Sequence, residues 1–173
     1  MNSIFDKILF KQDDSFNIYV GKFNENTGCL NLEKGLFYKI QDKINNMVTK
    51  KYNIINNKVY VKNSMILIVD SKTKNKKCLI KETDYCDLNN ELYVERIIEK
   101  DIPVESFPII DKYNYECIQK IKQFMYGKEY PIKINFVEEN ENNFYIFINF
   151  KIKTSNTLNK IKEIVQLILE EIS

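Results

Sequence analysis

Residues 16–23, FNIYVGKF, alternate apolar and polar positions and lead into NENTG, a turn cluster in which Gly28 can take positive φ. The pattern predicts a strand and its turn. From Glu33 to Val48 the period lengthens. Leu36, Phe37, Ile40, Ile44, Met47 and Val48 recur every three or four positions, with Lys39, Gln41, Asp42, Lys43 and Asn45 mostly opposite, which predicts an amphipathic helix. YNIINNKVYVK then reads as two β-rich runs around Asn56 and Asn57, adjacent asparagines that tolerate the left-handed conformation of a hairpin turn.

MILIVD at 65–70 is short and continuously apolar, so it is expected as a strand buried on both faces near a sheet centre. It forms a hairpin with CLIKE across a polar tip, SKTKNKK. ELYVERIIEK at 91–100 is expected as a strand from its Tyr, Val and Ile content and the proline at 103. IPVESFPIID, with two prolines, reads as an extended crossing segment. A second helix is expected from Asp111, as cap, to Tyr126, with Ile118, Ile121, Phe124 and Met125 on its apolar face and Gly127 as C-cap. IKINFV and NFYIFINFKIK form the clearest hairpin, and a last helix capped by Ser155 runs over 156–172 with Leu158, Ile161, Ile164, Val165, Ile168 and Ile172 on one face. The expected class is α+β: one domain, 1–173, with a mostly antiparallel sheet of about six to eight strands and three amphipathic helices.

Composition narrows the chemistry. With no His, the chain cannot run Ser-His-Asp or Cys-His catalysis, His-ligated zinc or a His general base. The 26 basic residues are all Lys except Arg96, and against 24 acidic ones they leave a net +2, so any nucleic-acid contact is local and carries little base readout. Cys29, Cys78, Cys86 and Cys117 contain no C-x2-C pair, which argues for reduced thiols in or beside the core. The start, MNSIFDKILFKQDD, is unlike a signal peptide, and the longest apolar run, Met65 to Val69, is far short of a membrane span; a soluble, cytoplasmic protein is expected. No glycine-rich phosphate loop occurs, and no cofactor or metal is expected.

Two hairpin tips carry opposite charge. Lys72, Lys74, Lys76 and Lys77 place four ammonium groups within six residues, suited to phosphate contact, with Lys50 and Lys51 able to extend the patch. The same lysines also fit a solvated tip and a helix C-terminus. Glu138, Glu139 and Glu141 sit at the other tip and read as a solvated turn. Tyr145 and Phe147 lie on the second face of their strand, so that both faces are apolar and a helix or a partner must cover each.

The absence of Ala, His and Trp, the Lys, Asn and Ile load, and the segment ELYVERIIEKDIPVESFP resemble compacted proteins of AT-rich genomes, such as those of microsporidia or large DNA viruses. The resemblance to microsporidian ribosome-associated dormancy factors implies a non-enzymatic protein that occupies a site on a ribosome, contacting rRNA phosphates and ribosomal proteins. An adaptor or viral host-interaction protein without nucleic-acid contact is the alternative. An enzyme would have to run on carboxylates, Lys, Cys or Tyr alone.

Overall fold

The computed structural model describes residues 15–24, 29–47, 52–88, 91–108, 115–126, 132–151 and 155–172. Among the described residues ten strands and two helices follow in order: β1 (Ser15–Val20), β2 (Lys22–Asn24), β3 (Cys29–Asn31), α1 (Lys34–Met47), β4 (Tyr52–Lys62), β5 (Met65–Asp70), β6 (Lys76–Leu88), β7 (Leu92–Ile102), β8 (Tyr115–Tyr126), β9 (Ile132–Glu139), β10 (Asn143–Lys151) and α2 (Ser155–Ile172). A 3-10 turn, Val104–Ser106, follows β7.

Eight of the strands close into an antiparallel barrel in the order β1-β10-β9-β8-β4-β5-β6-β7, and β1 pairs with β7 to seal it. The short β2 and β3 form a separate ribbon. Gly21 lies at the bend between β1 and β2. A Cβ there would stand 3.2 Å from the Asn31 carbonyl oxygen and 3.3 Å from the Leu30 carbonyl carbon, so the two backbones meet at a spacing that suits glycine.

The alternation in β1, β9 and β10 sends Phe16, Ile18, Val20, Ile134, Phe136, Ile146, Ile148 and Phe150 outward, not into the barrel. There they meet Phe37, Ile40 and Ile44 of α1 and Ile161, Ile164, Val165 and Ile168 of α2, all within one buried cluster. The Phe37 ring packs on Phe136 and Phe144 at 5.6 and 5.1 Å, and Lys39 and Lys43 of α1 both pair with Glu171 of α2. A smaller cluster, Leu67, Cys78 and Phe107, lies under the 3-10 turn.

Several expectations need correction. In place of the α+β sheet with three helices stands a closed eight-stranded antiparallel barrel, with two helices among the described residues. The helix expected over 111–126 is strand β8: Ile118 faces solvent, Phe124 the outer core, and Ile121 and Met125 the barrel interior, so their three-and-four spacing came from two strand faces, not one helical face. β8 is hydrogen-bonded on one side to β4 and on the other to β9, and that pairing overrides the local pattern. Asp111 and Gly127 lie outside the described residues. β4 runs straight through Asn56 and Asn57, and the chain turns instead at Asn63, whose φ is 55°. MILIVD is strand β5, but only Leu67 of it is fully buried. The strands at 15–20 and 92–102, the β9–β10 hairpin and both remaining helices lie close to where the pattern put them.

The β5–β6 tip is a hairpin as expected. The Asp70 carboxylate accepts hydrogen bonds from the backbone N–H groups of Thr73 and Lys72, both at 2.9 Å, which hold it below its usual pKa. Lys74 takes a φ of 63°. Because the left-handed region is strained for residues with a Cβ, Lys74→Gly is expected to stabilise the fold by about 0.5–1 kcal/mol. A higher urea midpoint at unchanged slope would show it.

Candidate functional site in the barrel lumen

An eight-stranded barrel has an interior just wide enough to be filled by side chains or to hold one small ligand. Burial tells which applies. On β10, Phe144, Ile146, Ile148 and Phe150 face the helices and are at most 5 % exposed, whereas Tyr145, Phe147 and Asn149, which face the lumen, are only half-buried. The same inversion holds on β1, where Tyr19 is half-buried between fully buried Ile18 and Val20. The main core therefore lies outside the barrel, and the lumen wall is mixed: Tyr19, Tyr93, Tyr145, Phe147 and Asn149 are half-buried, whereas Asn17, Leu79, Glu95, Asn135 and Val137 are buried.

One arc of that wall is polar. On β7, Glu95 is buried and accepts from Asn17 Nδ2 at 3.0 Å and Lys81 Nζ at 2.8 Å on Oε1, and from the Thr83 and Tyr93 hydroxyls on Oε2, both at 3.3 Å. Burial pushes this carboxyl up. The hydrogen bonds from Lys81 and Asn17 and the ammonium charge outweigh it, so Glu95 sits below its usual value and stays ionised. Asn149 Nδ2 donates to Asn17 Oδ1 at 2.8 Å, and Lys133 stands opposite Asn149 in the register. Lys81, Glu95, Asn17, Asn149 and Lys133 thus come from five successive strands of the barrel. Beside them Gln123 Nε2 donates to Asn135 Oδ1 at 2.8 Å. The β6–β7 register shifts between Thr83 and Tyr85, directly beside the Glu95 contacts.

An aromatic group adjoins this arc. The Tyr19 ring lies 5.2 Å from Phe147, 5.7 Å from Tyr93 and 6.1 Å from Tyr145. Tyr145 donates to Glu139 Oε1 at 2.5 Å, and Gln119 Nε2 donates to the same oxygen at 3.2 Å. Burial, followed by the nearby carboxylates, raises the Tyr19 and Tyr145 hydroxyls far above the usual phenol range, so both stay protonated and act as donors. The facing wall mixes Ile55, Val59, Ile68, Leu79 and Ile121 with Asn57, Lys77 and Gln119 on the lumen-side register of β4, β5, β6 and β8.

The residues singled out from sequence fall elsewhere or change role. Lys72 and Lys74 are exposed in the β5–β6 turn, Lys76 and Lys77 begin β6, and Lys77 stands 3.7 Å from Asp101. Lys50 and Lys51 lie outside the described residues. Glu139 is not part of a solvated tip but a lumen group. Tyr145 and Phe147 face the lumen, which answers what covers their face: neither a helix nor a docked partner. Cys78 and Cys117 are buried thiols, and burial pushes the Cys78 thiol up.

The missed residues did leave a signal. Phe16-Asn17-Ile18, Ile134-Asn135-Phe136 and Ile148-Asn149-Phe150 each set one amide between two apolar side chains on a strand. Such a residue points away from the core its neighbours build, and three of them mark a common polar face.

No helix among the described residues is long and apolar enough to cross a membrane. No protein-family model and no curated protein matches the chain. Solved structures do share its fold. The S. pombe RNA triphosphatase Pct1 superposes with a TM-score of 0.61 at 8 % identity, over 92 % of this chain and 81 % of its own. The RNA triphosphatase domain of a trifunctional mimivirus mRNA capping enzyme gives 0.57 at 12 % identity, over 96 % and 95 %. Pct1 in complex with the Spt5 CTD gives 0.57 at 8 % identity, over 94 % and 81 %. That solved structures sharing this fold are RNA triphosphatases overturns the expectation of a non-enzymatic domain, whether a dormancy factor occupying a ribosomal site or a protein-protein adaptor. The ribosome as partner falls with that expectation.

Proposed function

We propose that the chain is a phosphohydrolase that takes the triphosphate end of its substrate into the barrel lumen. The observation that carries the reading is the hydrogen-bonded charge pair on the lumen wall, half-buried Lys81 and buried Glu95. The fold shared with RNA triphosphatases supports it.

Phosphoryl transfer asks a protein mainly for positioning and for charge facing the phosphate oxygens. Lys81 and Lys133 supply two ammonium groups, and the amides of Asn17 and Asn149 lie between them round the wall. Glu95 fixes the direction of Lys81. Its Oε2, held by two hydrogen bonds of 3.3 Å, is the acceptor that can orient a water toward the terminal phosphorus. The water oxygen then forms the new P–O bond, the bond to the bridging oxygen breaks, and the diphosphate end leaves with its electron pair. The water's proton passes to the released phosphate. In this reading Lys72, Lys74 and Lys76, exposed on their hairpin, add attraction for an anionic chain.

Enzymes that act on triphosphates commonly use divalent cations that bridge phosphate oxygens. The described part of this lumen does not fit such an ion. No group of three or more His, Cys, Asp or Glu side chains converges among the described residues. Of the carboxylates on the lumen-side register, Glu95 is engaged by Lys81 and Asn17, Glu139 by Tyr145 and Gln119, and Asp101 by Lys77, while Glu99 stands opposite Lys81. No step is therefore routed through a metal.

Phosphate release from tripolyphosphate, nucleoside triphosphates and 5′-triphosphate RNA, each with Mg2+, with Mn2+ and with EDTA, tests the proposal. Turnover of at least one, reduced in Lys81→Met, is expected. Absence of turnover in every arm would overturn it.

A further inference from the structure

Apart from the Tyr93 hydroxyl, which holds Glu95, the aromatic group next to the charged arc is not used by phosphate hydrolysis. Tyr19, Tyr93, Tyr145 and Phe147 face the lumen and are all half-buried, so ring surface is presented to whatever enters. Their position relative to the charges is fixed by two observations. The Tyr93 hydroxyl and the Lys81 ammonium bind the two oxygens of one carboxylate, Glu95, at 3.3 and 2.8 Å. Along β1, Asn17 of the polar arc and Tyr19 of the aromatic group are two residues apart on one face, about 7 Å.

A ligand matched to this wall has an anionic end and a flat aromatic end. We infer that the lumen takes a nucleoside triphosphate, or the first nucleotide of a triphosphate-ended RNA, with its base stacked on the Tyr19, Tyr93, Tyr145 and Phe147 rings. The inference rests on the phosphohydrolase reading and names its substrate class. Every base has a π-face, so stacking selects a nucleotide over tripolyphosphate without choosing strongly among bases.

Base stacking on protein rings corresponds to about 5- to 150-fold in affinity. Calorimetric titration of the full chain with ATP, ribose 5-triphosphate and tripolyphosphate isolates it, because the first two differ only in the base. ATP is expected to bind at least about 5-fold more tightly than ribose 5-triphosphate. In Phe147→Leu, with its fold checked by circular dichroism, the ratio should shrink toward one. Equal affinities for the two in the unmodified protein would overturn the base site while leaving phosphate binding intact. Binding of none of the three would remove the phosphohydrolase reading and the base site together. A ratio unchanged in folded Phe147→Leu and in Tyr93→Leu would also overturn it.

Discussion

Ile148→Ala is expected to destabilise the protein by about 2–5 kcal/mol, whereas Phe147→Ala, which removes a larger side chain one position away, should cost less than about 1.5 kcal/mol. Ile148 is fully buried between the barrel and the helices, in the same cluster as Ile18 and Ile164. Truncating it leaves a cavity among side chains that cannot close over it. Phe147 lines the lumen and is half-buried, so its removal mostly widens a space that solvent already reaches. Urea midpoints of the two variants, compared at equal slope, decide the matter. Equal losses would mean that the lumen is a packed core, and the site proposed in it would not exist.

Replacing Lys81 by methionine should weaken phosphate binding about 10- to 100-fold, since a hydrogen bond to a charged group contributes about 1.5–3 kcal/mol. The same change should alter how stability depends on pH. In the unmodified protein the folded pKa of Glu95 lies below its unfolded value of about 4.3, so its contribution is present above that pH and is lost as pH falls through the folded value. Without the ammonium, burial is opposed only by the hydrogen bonds from the remaining partners such as Asn17 and Tyr93, and the folded pKa rises. The carboxyl then favours folding less above about pH 4.3 than it does in the unmodified protein. The stability gap between the two proteins should therefore widen from pH 4 to pH 7, reaching about 1–3 kcal/mol. A gap of constant size would show that Lys81 and Glu95 do not act as an ion pair.

How far the sequence was readable depended on range. The β9–β10 hairpin and α1 were legible because their partners lie within one element length and the apolar period is unmixed. β8 was not. Its apolar residues face two different environments, and only pairing with β4 and β9 decides that it is extended. Closure was beyond local pattern altogether, since it rests on β1 meeting both β7 and β10, with Ile18 opposite Val94 and Ile148. The lysine tip drew notice because four like charges are adjacent in sequence. Lys81, Glu95, Asn17 and Asn149 are scattered over four strands, and none is unusual alone. The three Asn-centred triplets were the readable trace of the site. They have meaning only once both faces of each strand are assigned separately.

Because the hydrophobic core surrounds part of the barrel instead of filling it, the two faces of β1, β9 and β10 answer to different selective demands. Even-numbered positions such as 16, 18, 134, 136, 146 and 148 hold the helices, and odd-numbered ones such as 17, 19, 135, 147 and 149 meet the lumen. Substitution at the odd positions leaves the packing that sustains the fold largely untouched. A lineage can thus re-line the interior one residue at a time, changing charge, width or aromatic content, without passing through an unfolded intermediate. Barrels of this kind can then drift far apart in sequence and in chemistry while their backbones still superpose.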